Sequence, residues 1–140
     1  MSLFVLDSDT LSLLENGHPH VAARVANCHV GEIAIAVITV DEALRGWFSM
    51  VRKAKKPRQL ALAYDRLARS VSFLAKIRIL SFGETAIATF EQLKKAKLLV
   101  GANDLRIAAI ALEHQATVVT RNVRDFQLVS GLKVEDWSKL

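Results

Sequence analysis

One cysteine, two prolines and no long apolar run mark what this chain does without. A lone thiol, Cys28, cannot close an intramolecular disulfide, which fits a reducing cytoplasm. Cys28 therefore reads as a small buried side chain and not as a nucleophile. A membrane-spanning helix needs about 18 consecutive apolar residues, and none are present. The opening segment, MSLFVLDSDT, lacks a basic stretch and carries acids at once, unlike a signal peptide. There is no internal repeat, linker or low-complexity stretch, so residues 1–140 are expected to form one domain. Metal-ligand spacing is missing among the histidines: His18 and His20 flank Pro19 in a turn signal, and His29 and His114 stand alone.

What is there begins with apolar residues at 51%, enough for a core and too many for a disordered chain. The net charge is +5, unevenly spread. Arg45, Arg52, Lys53, Lys55, Lys56 and Arg58 form a stretch without an acid, and Lys94, Lys95 and Lys97 form a second group. Such groups fit a polyanionic partner, nucleic acid first. They also fit ordinary solvated helix faces.

Short apolar runs at residues 3–6 and 33–38, at Ile77 to Phe82 and at Thr117 to Thr120 predict buried strands, with a fifth near Leu132 to Val134. Helical patterns lie between them, and such alternation predicts an α/β fold with a central parallel sheet flanked by helices. Between the second and third strands, Leu44, Trp47, Phe48 and Val51 share one helical face. Leu60, Tyr64, Leu67, Val71 and Leu74 draw an apolar stripe on another helix, expected to be a packing surface. Pro57 separates the two, predicting a helical hairpin with a basic tip. Ser81 to Glu84 is read as a cap for the helix bearing Ile87, Phe90 and Leu93. Leu105 to Leu112 is apolar all round and should be buried, and Trp137 is expected to pack.

The acids fall at telling places. Asp7 ends the first strand; Glu42 follows the second at a helix start; Asp104 opens the buried helix; Asn122 and Asp125 follow the fourth strand. In a parallel sheet all strand C-termini share one edge, where ligands bind. Carboxylates gathered there repel, and a hard divalent cation such as Mg²⁺ or Mn²⁺ relieves that repulsion and activates water against a phosphodiester. Each acid also has a local reading. Thr39 to Glu42 fits a capping box, Asp104 favours a helix N-terminus, and Asp125 suits a turn.

Four segments then carry a resemblance: VLDSDTLSLL at 5–14, IAVITVDEALRGW at 35–47, VGANDLRIAAIAL at 100–112 and VTRNVRDFQLVSGLKVEDW at 119–137. In this order they resemble PIN-domain ribonucleases, particularly the VapC-type toxins of toxin–antitoxin pairs. The resemblance implies a PIN-like fold, an endoribonuclease using Mg²⁺ or Mn²⁺, a homodimer, and silencing by a cognate antitoxin laid across the groove. It places metal-site acids at Asp7, Glu42 and Asp104, with Ser8 as the hydroxyl after the first aspartate. Asp125 supplies charge at the fourth position, beside Asn122 as a neutral ligand or water-positioning group. Arg45, Lys53, Lys55, Lys56 and Arg58 are then candidates for RNA backbone contacts, with Arg121 and Arg124 nearer the scissile phosphate.

Two rivals remain in view. Val5-Leu-Asp7-Ser-Asp9 also resembles the Asp-x-Asp signature of haloacid dehalogenase-type phosphatases, in which Asp9 would act as general acid. A non-catalytic nucleic-acid-binding module would use the same acids only as helix caps.

Overall fold

The computed structural model describes residues 2–140. Over these the chain forms β1 (Phe4–Leu6), α1 (Ser8–Glu15), α2 (Pro19–Ala26), β2 (Ile33–Ala36), α3 (Val37–Lys53), α4 (Pro57–Leu74), β3 (Arg78–Leu80), α5 (Glu84–Lys95), α6 (Ala102–Glu113), β4 (Thr117–Val119), α7 (Val123–Phe126) and β5 (Lys133–Glu135). The strands pair in the order β3-β2-β1-β4-β5, every pairing parallel. Successive units build outward from β1 in one direction and, after β3, in the other. The switch point of the sheet therefore lies beside β1, where Leu6 is in register with Val119 of β4 and Ile35 of β2.

Two-residue alternation sorts the strand side chains into two layers. Val5, Ala34, Ala36 and Val118 face α5 and α6, where Phe90, Leu105, Ile107 and the alanines Ala108, Ala109 and Ala111 are buried. Small side chains on both partners let α6 lie close on the sheet. Leu6, Ile33, Ile35 and Val119 face the other way, against Leu11, Val21, Leu74 and Trp137. Trp137 is 1% exposed, as its expected packing role requires.

Several boundaries differ from the sequence expectation. β2 stops at Ala36, and Val37 already opens α3, so the β-branched run Val37-Ile-Thr-Val40 is helical. Tertiary packing overrides its strand propensity: Thr39 is buried and Val40 packs against the second core layer. Glu42 consequently sits beyond the first turn of α3, and the Thr39–Glu42 capping box does not form; the N-cap is Ala36, with no side-chain bond. The cap at Ser81 is likewise replaced by Gly83. His18, read as part of a turn, caps α2, and Pro19 takes the first helical position, where its missing N–H costs nothing. Cys28 is half-buried, not enclosed.

The α3–α4 hairpin forms as expected, with Pro57 at the first position of α4. Its apolar stripe packs only in part. Leu74 is buried and Leu67 half-buried, as expected, while Leu60 (38% exposed), Tyr64 (54%) and Val71 (49%) face outward and α4 buries Ala63 and Ser70 besides.

Candidate active site

Asp7 sits one residue past the end of central strand β1, its N–H donating to the Val119 carbonyl at 3.0 Å. It is also the N-cap of α1, its Oδ1 accepting from the Thr10 N–H at 2.9 Å. Burial pushes its carboxyl above the ordinary carboxylate value, against hydrogen bonds from Thr120 and Thr10 that favour the charged form. Asp104 stands in the first turn of α6, where the helix dipole favours an anion. Even so, its carboxyl is raised, by burial first and then by the charges of Asp7, Glu42 and Asp125. The fold thus brings acids from three other segments close enough to disfavour the ionisation of Asp104.

Glu42 approaches from α3 and is held at both oxygens. Oε1 accepts from the Ser8 hydroxyl at 2.7 Å, and Oε2 accepts from Asn103 Nδ2 at 3.3 Å. Asn103 is fixed in turn by Arg106, whose Nη1 donates to Asn103 Oδ1 at 2.6 Å while its guanidinium lies 4.8 Å from the Phe90 ring centroid. On the opposite wall, Asn122 donates to Asp125 Oδ2 at 2.9 Å, and its N–H donates to the Thr120 hydroxyl at 2.9 Å. Asp7, Ser8, Asp9, Glu42, Asp104, Arg121 and Asn122 line one open cleft. Asp125 borders it through Asn122.

The structure therefore brings together Asp7, Ser8, Glu42, Asp104, Asn122 and Asp125. Of the basic candidates, Arg121 alone lines that cleft among the described residues. Arg45 pairs with Asp41 at 2.8 Å on the exposed side of α3. Lys53, Lys55, Lys56 and Arg58 are exposed around the hairpin tip, with Lys53 about 16 Å beyond Glu42 along α3 at 1.5 Å per residue. Arg124 is exposed on α7, and Arg121 reaches the cleft itself, bonded to Asp9. Sequence reading passed over Asn103, Arg106 and Thr120. Asn103 is legible in hindsight, because it precedes Asp104 in the first turn of α6 and so reaches the same edge.

This all-oxygen set fits a hard divalent cation. Among the described residues, no three His, Cys, Asp or Glu side chains converge as a finished cage. Mg²⁺ asks for less: one or two carboxylates with water completing its shell. Burial first, and then the charges of Asp7, Glu42 and Asp125, raise Asp104, and such an ion would offset that cost. Because Asn103 holds the Glu42 carboxylate, Asn103→Ala is expected to cost about 10- to 100-fold in metal affinity or activity. A divalent-ion titration followed by melting temperature checks this.

A parallel sheet wound in both directions from β1, with carboxylates at its switch point, defines an α/β protein built around an acidic cleft. Residues 4–132 match the PIN domain. Ribonuclease VapC2 of Rickettsia felis is 34% identical, over 98% of this chain and 99% of that protein. The tRNA(fMet)-specific endonuclease VapC of Shigella flexneri is 29% identical, over 99% of this chain and the whole of that protein. The DNA-bound VapBC structure from Salmonella typhimurium superposes with a TM-score of 0.78 at 28% identity, covering 98% of this chain and 99% of that one. The chain belongs to the PIN domain family, among its VapC-type members. The phosphatase alternative falls away, since the family match spans nearly the whole chain and Asp9, its required general acid, is tied to Arg121.

Proposed function

We propose that the chain is a Mg²⁺- or Mn²⁺-dependent endoribonuclease that hydrolyses RNA phosphodiester bonds as the toxin of a toxin–antitoxin pair. The observation that carries this reading is the shared cleft of Asp7, Glu42 and Asp104, bordered by Asp125, with Asp7 and Asp104 both raised. Asp7 and Asp104 would hold the ion, with Glu42 completing the site and Asp125 at the fourth position. When bound, the dication orients the phosphodiester, offsets its developing charge and lowers the pKa of water. Glu42, fixed by Ser8 and Asn103, keeps lone pairs free to accept a proton from water and aim its oxygen in line with phosphorus. Asn122 holds Asp125 in place and offers a neutral polar group beside it. The exposed cations at the hairpin tip, with Arg45 and Arg124, supply backbone contacts that weaken as salt rises.

The names of the relatives support RNA as substrate, and the VapBC complexes support an antitoxin partner. An apolar slot lined by Leu11, Ala43, Trp47, Met50 and Leu74 adjoins the acids and shares Ser8 and Glu42 with their cleft. An antitoxin segment crossing that slot would place a basic side chain among the carboxylates. The exposed face of Leu60, Tyr64 and Val71 supports a homodimer, because apolar patches of this kind mark interfaces. Light scattering of the purified chain is expected to give a dimer mass; a monomer at all concentrations overturns that part. No described helix is long and apolar enough to cross a membrane. With the single thiol, this supports a cytoplasmic location.

The test is RNA digestion with Mn²⁺ and with EDTA. Cleavage is expected only with the ion, together with an ion-dependent rise in melting temperature. A binding module whose acids are only caps would show neither, and unchanged cleavage in EDTA would overturn the metal assignment.

A further inference from the structure

Asp9 and Arg121 are 112 residues apart, yet they meet at the rim of the acidic cleft. Arg121 Nε donates to Asp9 Oδ2 at 2.6 Å and Nη2 donates to Asp9 Oδ1 at 2.9 Å, a two-point fork. Both side chains are about half exposed, and pairs in that setting add little to stability. The geometry has another consequence. A guanidinium is planar, with five donors in fixed directions. Anchoring its Nε–Nη2 edge on Asp9 aims its Nη1–Nη2 edge, which bonds no protein acceptor among the described residues. Among the residues lining the cleft, Arg121 is the only cation. A polyanion entering this acidic site needs such a group, and paired guanidinium N–H bonds match two phosphate oxygens.

We propose that Arg121 is the phosphate-binding cation of this cleft and that Asp9 is its positioning residue, holding the guanidinium so that its free edge receives an RNA phosphodiester. The inference rests on the reading of the cleft as an RNA-cleaving site. Arg121 stays bonded to Asp9 while binding phosphate, because the two anions use different edges. Asp9 carries negative charge and yet favours RNA binding. That combination separates it from a bystander.

The full-length chain and a labelled single-stranded RNA oligonucleotide test this by anisotropy in EDTA across salt concentrations, with kcat and KM measured in Mn²⁺ on the same oligonucleotide. Arg121→Lys keeps the charge and loses the fork, so Kd is expected to rise about tenfold, with the salt dependence retained. Arg121→Ala should weaken binding and also flatten the log–log salt slope by about 0.7. Asp9→Ala decides the matter by its sign. Bulk electrostatics alone makes RNA bind more tightly when this acid is removed, whereas a positioning role raises Kd and KM with the fold intact by circular dichroism. Tighter or unchanged binding in Asp9→Ala, or wild-type affinity in Arg121→Lys, overturns the inference. The two readings fail separately. If Asp104→Asn abolishes Mn²⁺-dependent cleavage while both rim variants match wild type, the nuclease stands and the clamp falls. If the wild type does not cleave, the Kd comparisons still judge the clamp.

Discussion

Asp104→Asn should lower RNA cleavage by about a hundredfold or more and, in the same protein, raise the melting temperature when divalent ions are chelated. The activity loss follows from removing a proposed ligand to an ion worth several kcal/mol in the transition state, at about 1.4 kcal/mol per tenfold in rate. The stability gain follows from electrostatics. Asp104 is raised by burial and by the charges of Asp7, Glu42 and Asp125, so its ionised form is a liability in the folded chain. A folded-state pKa above the unfolded one means that the native protein holds its proton more tightly. Stability is then present below the unfolded value and lost as pH climbs through the raised folded value. Asp7 acts in the same direction. The chelated wild type is therefore expected to be more stable at mildly acidic pH than at neutral pH, with a flatter profile in Asp104→Asn. Thermal melts across that pH range in EDTA check the sign; a variant less stable than wild type at neutral pH contradicts it. Adding Mn²⁺ should reverse the ranking, because an ion at a hundred times its Kd adds about 2.7 kcal/mol to whichever protein binds it.

Trp137→Ala should cost about 3–5 kcal/mol, the range for removing a buried large aromatic side chain. That is a large part of the roughly 5–15 kcal/mol that ordinarily separates folded from unfolded chains. Trp137 is 1% exposed and fills the layer beneath α1 and α2. Its ring centroid lies 4.9 Å from that of Phe4, the Arg24 guanidinium sits 4.9 Å above it, and Nε1 donates to Glu135 Oε1 at 2.9 Å. Arg24 Nη2 donates to the same oxygen at 3.1 Å. Truncation opens a cavity and strips Arg24 of its stacking surface at once. Urea unfolding should show a lower midpoint, and melting should fall by about 10 °C. Trp137→Phe, which keeps a ring and loses the donor, should fall between. A midpoint shift in Trp137→Ala within experimental error would show that the segment after β5 is not part of the core.

The architecture was legible wherever the pattern was local. Strands announced themselves as short apolar runs, and the acids at their ends could be placed on one edge without coordinates, because parallel strands share a polarity. Where packing outweighs propensity, local reading failed. Val37 and Ile38 read as the end of a strand and fold as helix, carrying Glu42 from a cap position to a point facing Ser8 and Asn103. The stripe of Leu60, Tyr64 and Val71 has the period of a buried face, and period alone cannot say whether a partner lies within the chain. Asp9 with Arg121, and Arg106 stacked on Phe90, were invisible because nothing in their spacing signals the encounter. Hydrogen bonds that tie loops from opposite ends of a chain leave no local trace.

Strand β1 takes β2 on one side and, on the other, β4, with Phe4 beside Thr117. On the ribosome its second edge must stay open until Thr117 to Val119 have emerged. Asp7 waits as long for Asp125, and the Trp137 that seals the layer below comes later still. An emerging chain, with its earlier segments already able to begin folding, carries an incomplete acidic cleft until those later segments follow. The arrangement keeps the proposed hydrolytic site from arising beside the machinery making the protein until β4 and the Asn122–Asp125 turn have been made.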